Sequence, residues 1–176
     1  MEIVKVMHNA SLEEAREAFS DLLDNVEKKP EKLEASIFFQ ARRFAKASMN
    51  MCRYNDFIPF IVNSSLAIEL YLKAIICTTE RCKGKSDNKK KKVIREYSHS
   101  LLALYEEIGN TNKESFESYR DGLNIEFIRE IDGSFSNWRY VYEKERLSIQ
   151  NLNLIPFAFE ALEEIFCSAM KEEKSA

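Results

Sequence analysis

The chain has 176 residues, of which 45% are hydrophobic and 31% charged, with a formal net charge of −3. That length and balance suit one folded domain and argue against a disordered chain or a membrane protein. The stretch from Phe57 to Cys77 is the longest apolar candidate, but Asn63, Ser64, Ser65, Glu69 and Lys73 interrupt it, so no membrane span is expected. Met1 to His8 lacks the apolar stretch of a secretion signal, and the expected location is cytoplasmic.

The first helix is expected from Ser11, where Ser11 to Glu14 reads as a capping box and Leu12, Ala15, Phe19, Leu22 and Val26 recur at helical spacing. Lys28, Lys29 and Pro30 end it, and Pro30 can open a second helix that runs to about Arg53. This second helix carries Leu33, Ile37, Ala41, Phe44, Ala45 and Ser48 on one side. Tyr54, Asn55 and Asp56 read as a turn. A third helix follows over about Phe57 to Cys82, apolar nearly all round, and it should be either the centre of a bundle or a seam shared with a second subunit. Glu69 and Lys73 interrupt it four residues apart, in the favourable acid-first order.

Residues 83–97 read as an exposed, mobile basic loop. Between Glu80 and Glu96 lie eight basic residues (Arg81, Lys83, Lys85, Lys89, Lys90, Lys91, Lys92 and Arg95) against three acidic ones, so the rest of the chain is strongly acidic. A fourth helix starts near Ser98 or His99, turns Leu101, Leu102, Leu104, Tyr105 and Ile108 inward, and stops at Gly109. Thr111 to Glu114 is a second capping box, expected to open one continuous fifth helix through Phe116, Tyr119, Leu123, Phe127 and Ile131 to about Asp132. Phe135 to Arg146 fits either a short helix or an extended segment. The last helix begins near Asn153 with Pro156 in its first turn, and its polar tail from Lys171 is expected to fray. The fold class is therefore all-α: a helical bundle of about five to six helices in one domain, 1–176, with its core over about 33–170.

No phosphate-binding glycine loop, His-Glu-x-x-His or paired Glu-x-x-His occurs, so neither a cofactor nor a metal is expected. Cys52, Cys77, Cys82 and Cys167 lack zinc-knuckle spacing. Three polar features remain. Glu69 and Lys73 are either a register-fixing internal ion pair or a polar site at the bundle centre. His99, at a helix N-terminus, is either a packing residue or a general base. Arg139, embedded among Phe135, Trp138, Tyr140 and Tyr142, is either the partner of Glu143 on a core rim or a phosphate ligand held by stacking.

Asn63 to Ile75 with its Ala67-x-Glu69-x-x-x-Lys73 pattern, then His99 to Tyr105, then Phe135 to Glu143, together resemble the HEPN superfamily over roughly Leu33 to Met170. The resemblance implies a four- to six-helix bundle that dimerises and acts on RNA, in toxin–antitoxin, phage-defence or stress systems. Active members carry Arg, four to six residues and then His; here Arg139 is followed at the matching positions by Lys144, Glu145 and Arg146. The chain is accordingly expected to be a homodimer that binds RNA or nucleotide phosphates with weak or no catalysis. Lys83, Lys85, Lys89 to Lys92 and Arg95 would contact phosphate, and Glu69, Lys73, Tyr140 and Glu143 would line the cleft with the catalytic candidates His99 and Arg139. One alternative is a metal-independent ribonuclease using His99 as base and Arg139 as charge stabiliser. The other is a structural or regulatory module that binds a partner protein through its exposed faces.

Overall fold

The computed structural model describes residues 32–53, 57–82, 99–132 and 151–175. Contacts divide the chain into Met1–Glu31 and Lys32–Ala176, and the bundle is the second of these units. The helix expected from Ser11, the turn at 54–56 and the ambiguous segment 135–146 lie outside the described residues.

Six α-helices and no strand make up the described residues: α1 Leu33–Arg53, α2 Phe57–Cys82, α3 Leu101–Glu107, α4 Asn110–Tyr119, α5 Ile125–Ile131 and α6 Ile155–Ser175. A short 3-10 turn, Leu152–Leu154, leads into α6. The all-α bundle read from the periodicity is what the described residues form.

Helix α2 is the centre. Ala67, Ile68, Tyr71, Leu72, Ala74 and Ile75 have no exposed surface. Such a helix must be covered on most sides, because burying apolar area is the main stabilising term in folding. By length and composition α2 could also cross a membrane, but 72% of that stretch is buried inside this bundle. Its coverage comes chiefly from α1 and α6, with α3 packed beside it. The large hydrophobics left exposed among the described residues are Phe57 and Ile58, at its first turn. Within the described residues α2 is thus the centre of the bundle.

On α1 the stripe facing α2 is Phe38, Ala41, Ala45 and Ser48, at spacings of three, four and three. Three small residues in that stripe let the two helix backbones approach closely. Ser48 settles its buried hydroxyl by donating to the Ala45 carbonyl at 2.8 Å. Phe38 stacks on Phe166 of α6 (centroids 4.1 Å, interplanar angle 9°) and meets Tyr71 edge-on at 5.7 Å. One aromatic side chain therefore joins the three longest helices.

The continuous fifth helix is not formed. Its span is broken into α4 and α5 by residues 120–124, where Gly122 sits at φ 91° and Asn124 accepts from the backbone N–H groups of Glu126 and Phe127. A left-handed residue cannot continue a right-handed helix, and the Asn124 cap starts a new one. The second capping box also fails as read: Gly109, at φ 87°, is the N-cap of α4, and Thr111 falls inside the first turn. Gly109 does end the preceding helix as expected. Helix α6 is helical as far as Ser175.

Candidate functional site

A charged side chain on the central helix must find a partner or stay in water. Glu69 has only 4% of its side chain exposed, and it has partners. Lys73, one turn further along α2, brings Nζ to 2.5 Å from Oε1 of Glu69. From a separate part of the chain, Nδ1 of His99 lies 3.1 Å from Oε1 and 3.2 Å from Oε2. A carboxylate only accepts, so the His99 nitrogen facing it carries the hydrogen. In the neutral imidazole that tautomer leaves the acceptor lone pair on Nε2.

The three side chains differ in exposure, and the difference gives them different parts. Glu69 is the buried hub and Lys73 is 14% exposed, whereas the His99 side chain is 63% exposed. The cluster thus opens from the bundle interior to solvent through the imidazole. It can present a cationic ammonium and a ring whose orientation is fixed by a carboxylate.

His99 stands one residue before the N-cap of α3. Ser100, in an extended conformation (φ −77°, ψ 112°), accepts from the backbone N–H of Ala103 at 3.2 Å. The same hydroxyl donates to Oδ2 of Asp132 at 3.3 Å, and the Leu101 N–H donates to Oδ1 of Asp132 at 2.6 Å. An acid at this end of a helix is doubly favoured, by the hydrogen bond and by the helix dipole. Asp132 is itself fixed at the end of α5, donating its N–H to the Ile128 carbonyl at 2.9 Å.

The structure therefore brings together Glu69, Lys73 and His99. Arg139, Tyr140, Glu143 and the basic residues Lys83, Lys85, Lys89, Lys90, Lys91, Lys92 and Arg95 lie outside the described residues. Asp132 was legible in the sequence only as part of a helix stop. Its part in fixing α3 comes from 31 residues away in the chain, which no local pattern reports.

A second polar cluster also escapes the sequence reading. Tyr71, fully buried, donates its hydroxyl to Oε1 of Glu163 at 2.5 Å, and burial followed by this bond pushes the phenol well above its usual range. Arg42 Nε lies 3.3 Å from the same oxygen, close enough for an ion pair but too poorly aligned for a hydrogen bond. Arg42 and Glu163 border a groove of about 430 Å³ between α1 and α6, with Lys46, Asn50 and Glu160 along it. A further cleft of about 480 Å³ is lined by Thr78, Thr79, Thr111, Ser115, Tyr119 and Glu164 among others, and shares no residue with the Glu69 cluster. Among the described residues, no three His, Cys, Asp or Glu side chains gather as a metal ion requires.

No protein-family model, curated protein or solved structure matches this chain at a significant level.

Proposed function

We propose that the bundle is a HEPN-like cytoplasmic domain that acts as a homodimer in a defence or stress setting and binds RNA or nucleotide phosphates, with weak or no catalysis. The observation that carries this reading is the gathering of Lys73 and the exposed His99 on the buried Glu69 carboxylate. Phosphate contacts need donors held in place, and a carboxylate that fixes the Lys73 ammonium beside the His99 ring lowers the ordering cost of binding. The basic run supports the same reading by its place in the chain, since Lys83 to Arg95 occupy the connection that ends at His99.

A fluorescence-anisotropy titration of labelled single-stranded RNA tests it, at low and moderate salt. Expected is binding that weakens steeply with salt and weakens again in His99→Ala, an exposed position where the fold tolerates truncation. Absence of binding at low salt would reject the reading in favour of the structural or regulatory module.

One observation favours a second reading, a metal-independent ribonuclease. The Nδ1–carboxylate contact gives His99 the orientation a general base requires, with Nε2 as the proton acceptor for a 2′-hydroxyl and Arg139 as the group that stabilises the phosphorane-like charge. Cleavage of RNA in a chelator, lost in both His99→Ala and Arg139→Ala, distinguishes this reading from binding alone.

A further inference from the structure

The position of His99 depends on where α3 begins, and α3 is short. Seven residues of helix are marginal by themselves, so the start of α3 must be fixed by what it touches. Leu101, Leu104 and Tyr105 hold its inner face in the core. Those apolar contacts resist lifting of the helix but do little to set its first residue, because apolar packing is not directional. Three hydrogen bonds that involve a side chain give direction to the first turn. The Ser100 hydroxyl caps Ala103, the Leu101 N–H donates to Asp132 Oδ1, and the Ser100 hydroxyl donates to Asp132 Oδ2.

The geometry points to Asp132 as the positioning residue of the candidate site: its two carboxylate oxygens hold the first turn of α3 so that the His99 ring stands against Glu69. The inference rests on the reading of His99 as a site residue. Both Asp132 oxygens are used, on adjacent residues, so the clamp fixes the direction of the chain as well as its position. The Asp132 backbone is in turn anchored by its N–H bond to Ile128. The clamp therefore joins the end of α5 to the start of α3, whose next residue towards the N-terminus carries the imidazole. Asp132 also immediately precedes the segment that bears Arg139, seven residues on in sequence.

The chain contains only two histidines, His8 and His99, so ring nitrogen signals are simple to assign with a His8→Gln variant. The experiment records the tautomer of neutral His99 by nitrogen-15 NMR in wild type, Asp132→Ala, Asp132→Asn and the exposed control Asp121→Ala, with RNA affinity measured on the same samples. Expected is the Nδ1–H tautomer in wild type and in Asp121→Ala. In Asp132→Ala the signal should move towards the Nε2–H tautomer, with helicity retained and RNA affinity reduced about tenfold. Asp132→Asn keeps a carbonyl oxygen for the Leu101 N–H and should recover most of the wild-type tautomer. If Asp132→Ala does not fold, Ser100→Ala, which removes the Oδ2 arm, is read in its place and should show a smaller shift in the same direction. An unchanged His99 tautomer in a folded Asp132→Ala protein, or in Ser100→Ala where that is the variant read, overturns the inference. A tautomer change in a protein that binds no RNA even as wild type leaves the clamp standing and rejects the RNA reading instead.

Discussion

Replacing Lys73 by Met removes the ammonium that lies 2.5 Å from a carboxylate with 4% of its side chain exposed. Solvent-exposed ion pairs contribute only about 0–1 kcal/mol, but the burial of Glu69 takes this pair out of that class. A completely orphaned buried charge costs roughly 3–5 kcal/mol. His99 Nδ1 still meets both oxygens at 3.1 and 3.2 Å, which lowers the expected loss for Lys73→Met to about 2–3 kcal/mol. Glu69→Leu should cost less, about 1 kcal/mol, because the long Lys73 stem can turn its head to water. Buried pairs replaced by apolar residues are often neutral, so the double variant should lie within about 1 kcal/mol of wild type and give a coupling of about 2 kcal/mol. Urea unfolding followed by far-ultraviolet circular dichroism measures all four proteins. A loss below about 0.5 kcal/mol for Lys73→Met, or a double variant equal to the sum of the singles, would refute the claim that Glu69 is a buried hub.

Three further outcomes follow from the geometry. Gly122→Ala should destabilise more than Gly109→Ala in thermal melts: both glycines have positive φ, but only at Gly122 does an added Cβ meet a neighbour, Leu154 Cδ1 at 2.9 Å. The expected losses are about 2 and about 1 kcal/mol, and equal losses would remove the steric part of the argument. Tyr71 and Tyr105 both have their phenol pushed above the usual 10.0, chiefly by burial and then by the bonds to Glu163 and Glu117. The folded state then holds these protons more tightly than the unfolded chain, so their stabilisation is complete below about pH 10 and is lost as pH rises further. The unfolding free energy should therefore fall more steeply between about pH 10 and 11 in wild type than in Tyr71→Phe, by up to about 1.4 kcal/mol per pH unit. An identical slope in the two proteins contradicts that account. Phe38→Ala should cost about 3–5 kcal/mol in urea, since it removes a ring shared by α1, α2 and α6, and a cost below about 1 kcal/mol would show that α1 packs independently of α6.

The sequence by itself determined the helices whose signals are local. The all-round apolar run of Phe57 to Cys82 required a central helix, the three-four spacing on Leu33 to Arg53 required a packed face, and Gly109 required a stop. The sequence also singled out Glu69, Lys73 and His99, because a charge pair on an apolar helix and a histidine at a helix start are unusual places for those side chains. Tertiary structure decided the rest. Helical periodicity runs straight through Phe116, Tyr119, Leu123 and Phe127, and periodicity cannot report the positive φ of Gly122 or the Asn124 cap that divide α4 from α5. Nor could spacing reveal that His99 reaches Glu69 across 30 residues, that Asp132 holds the first turn of α3, or that Tyr71 and Glu163 meet across 92. Local propensity depends on neighbours along the chain, whereas these contacts depend on where whole helices come to rest, and packing between helices fixes that.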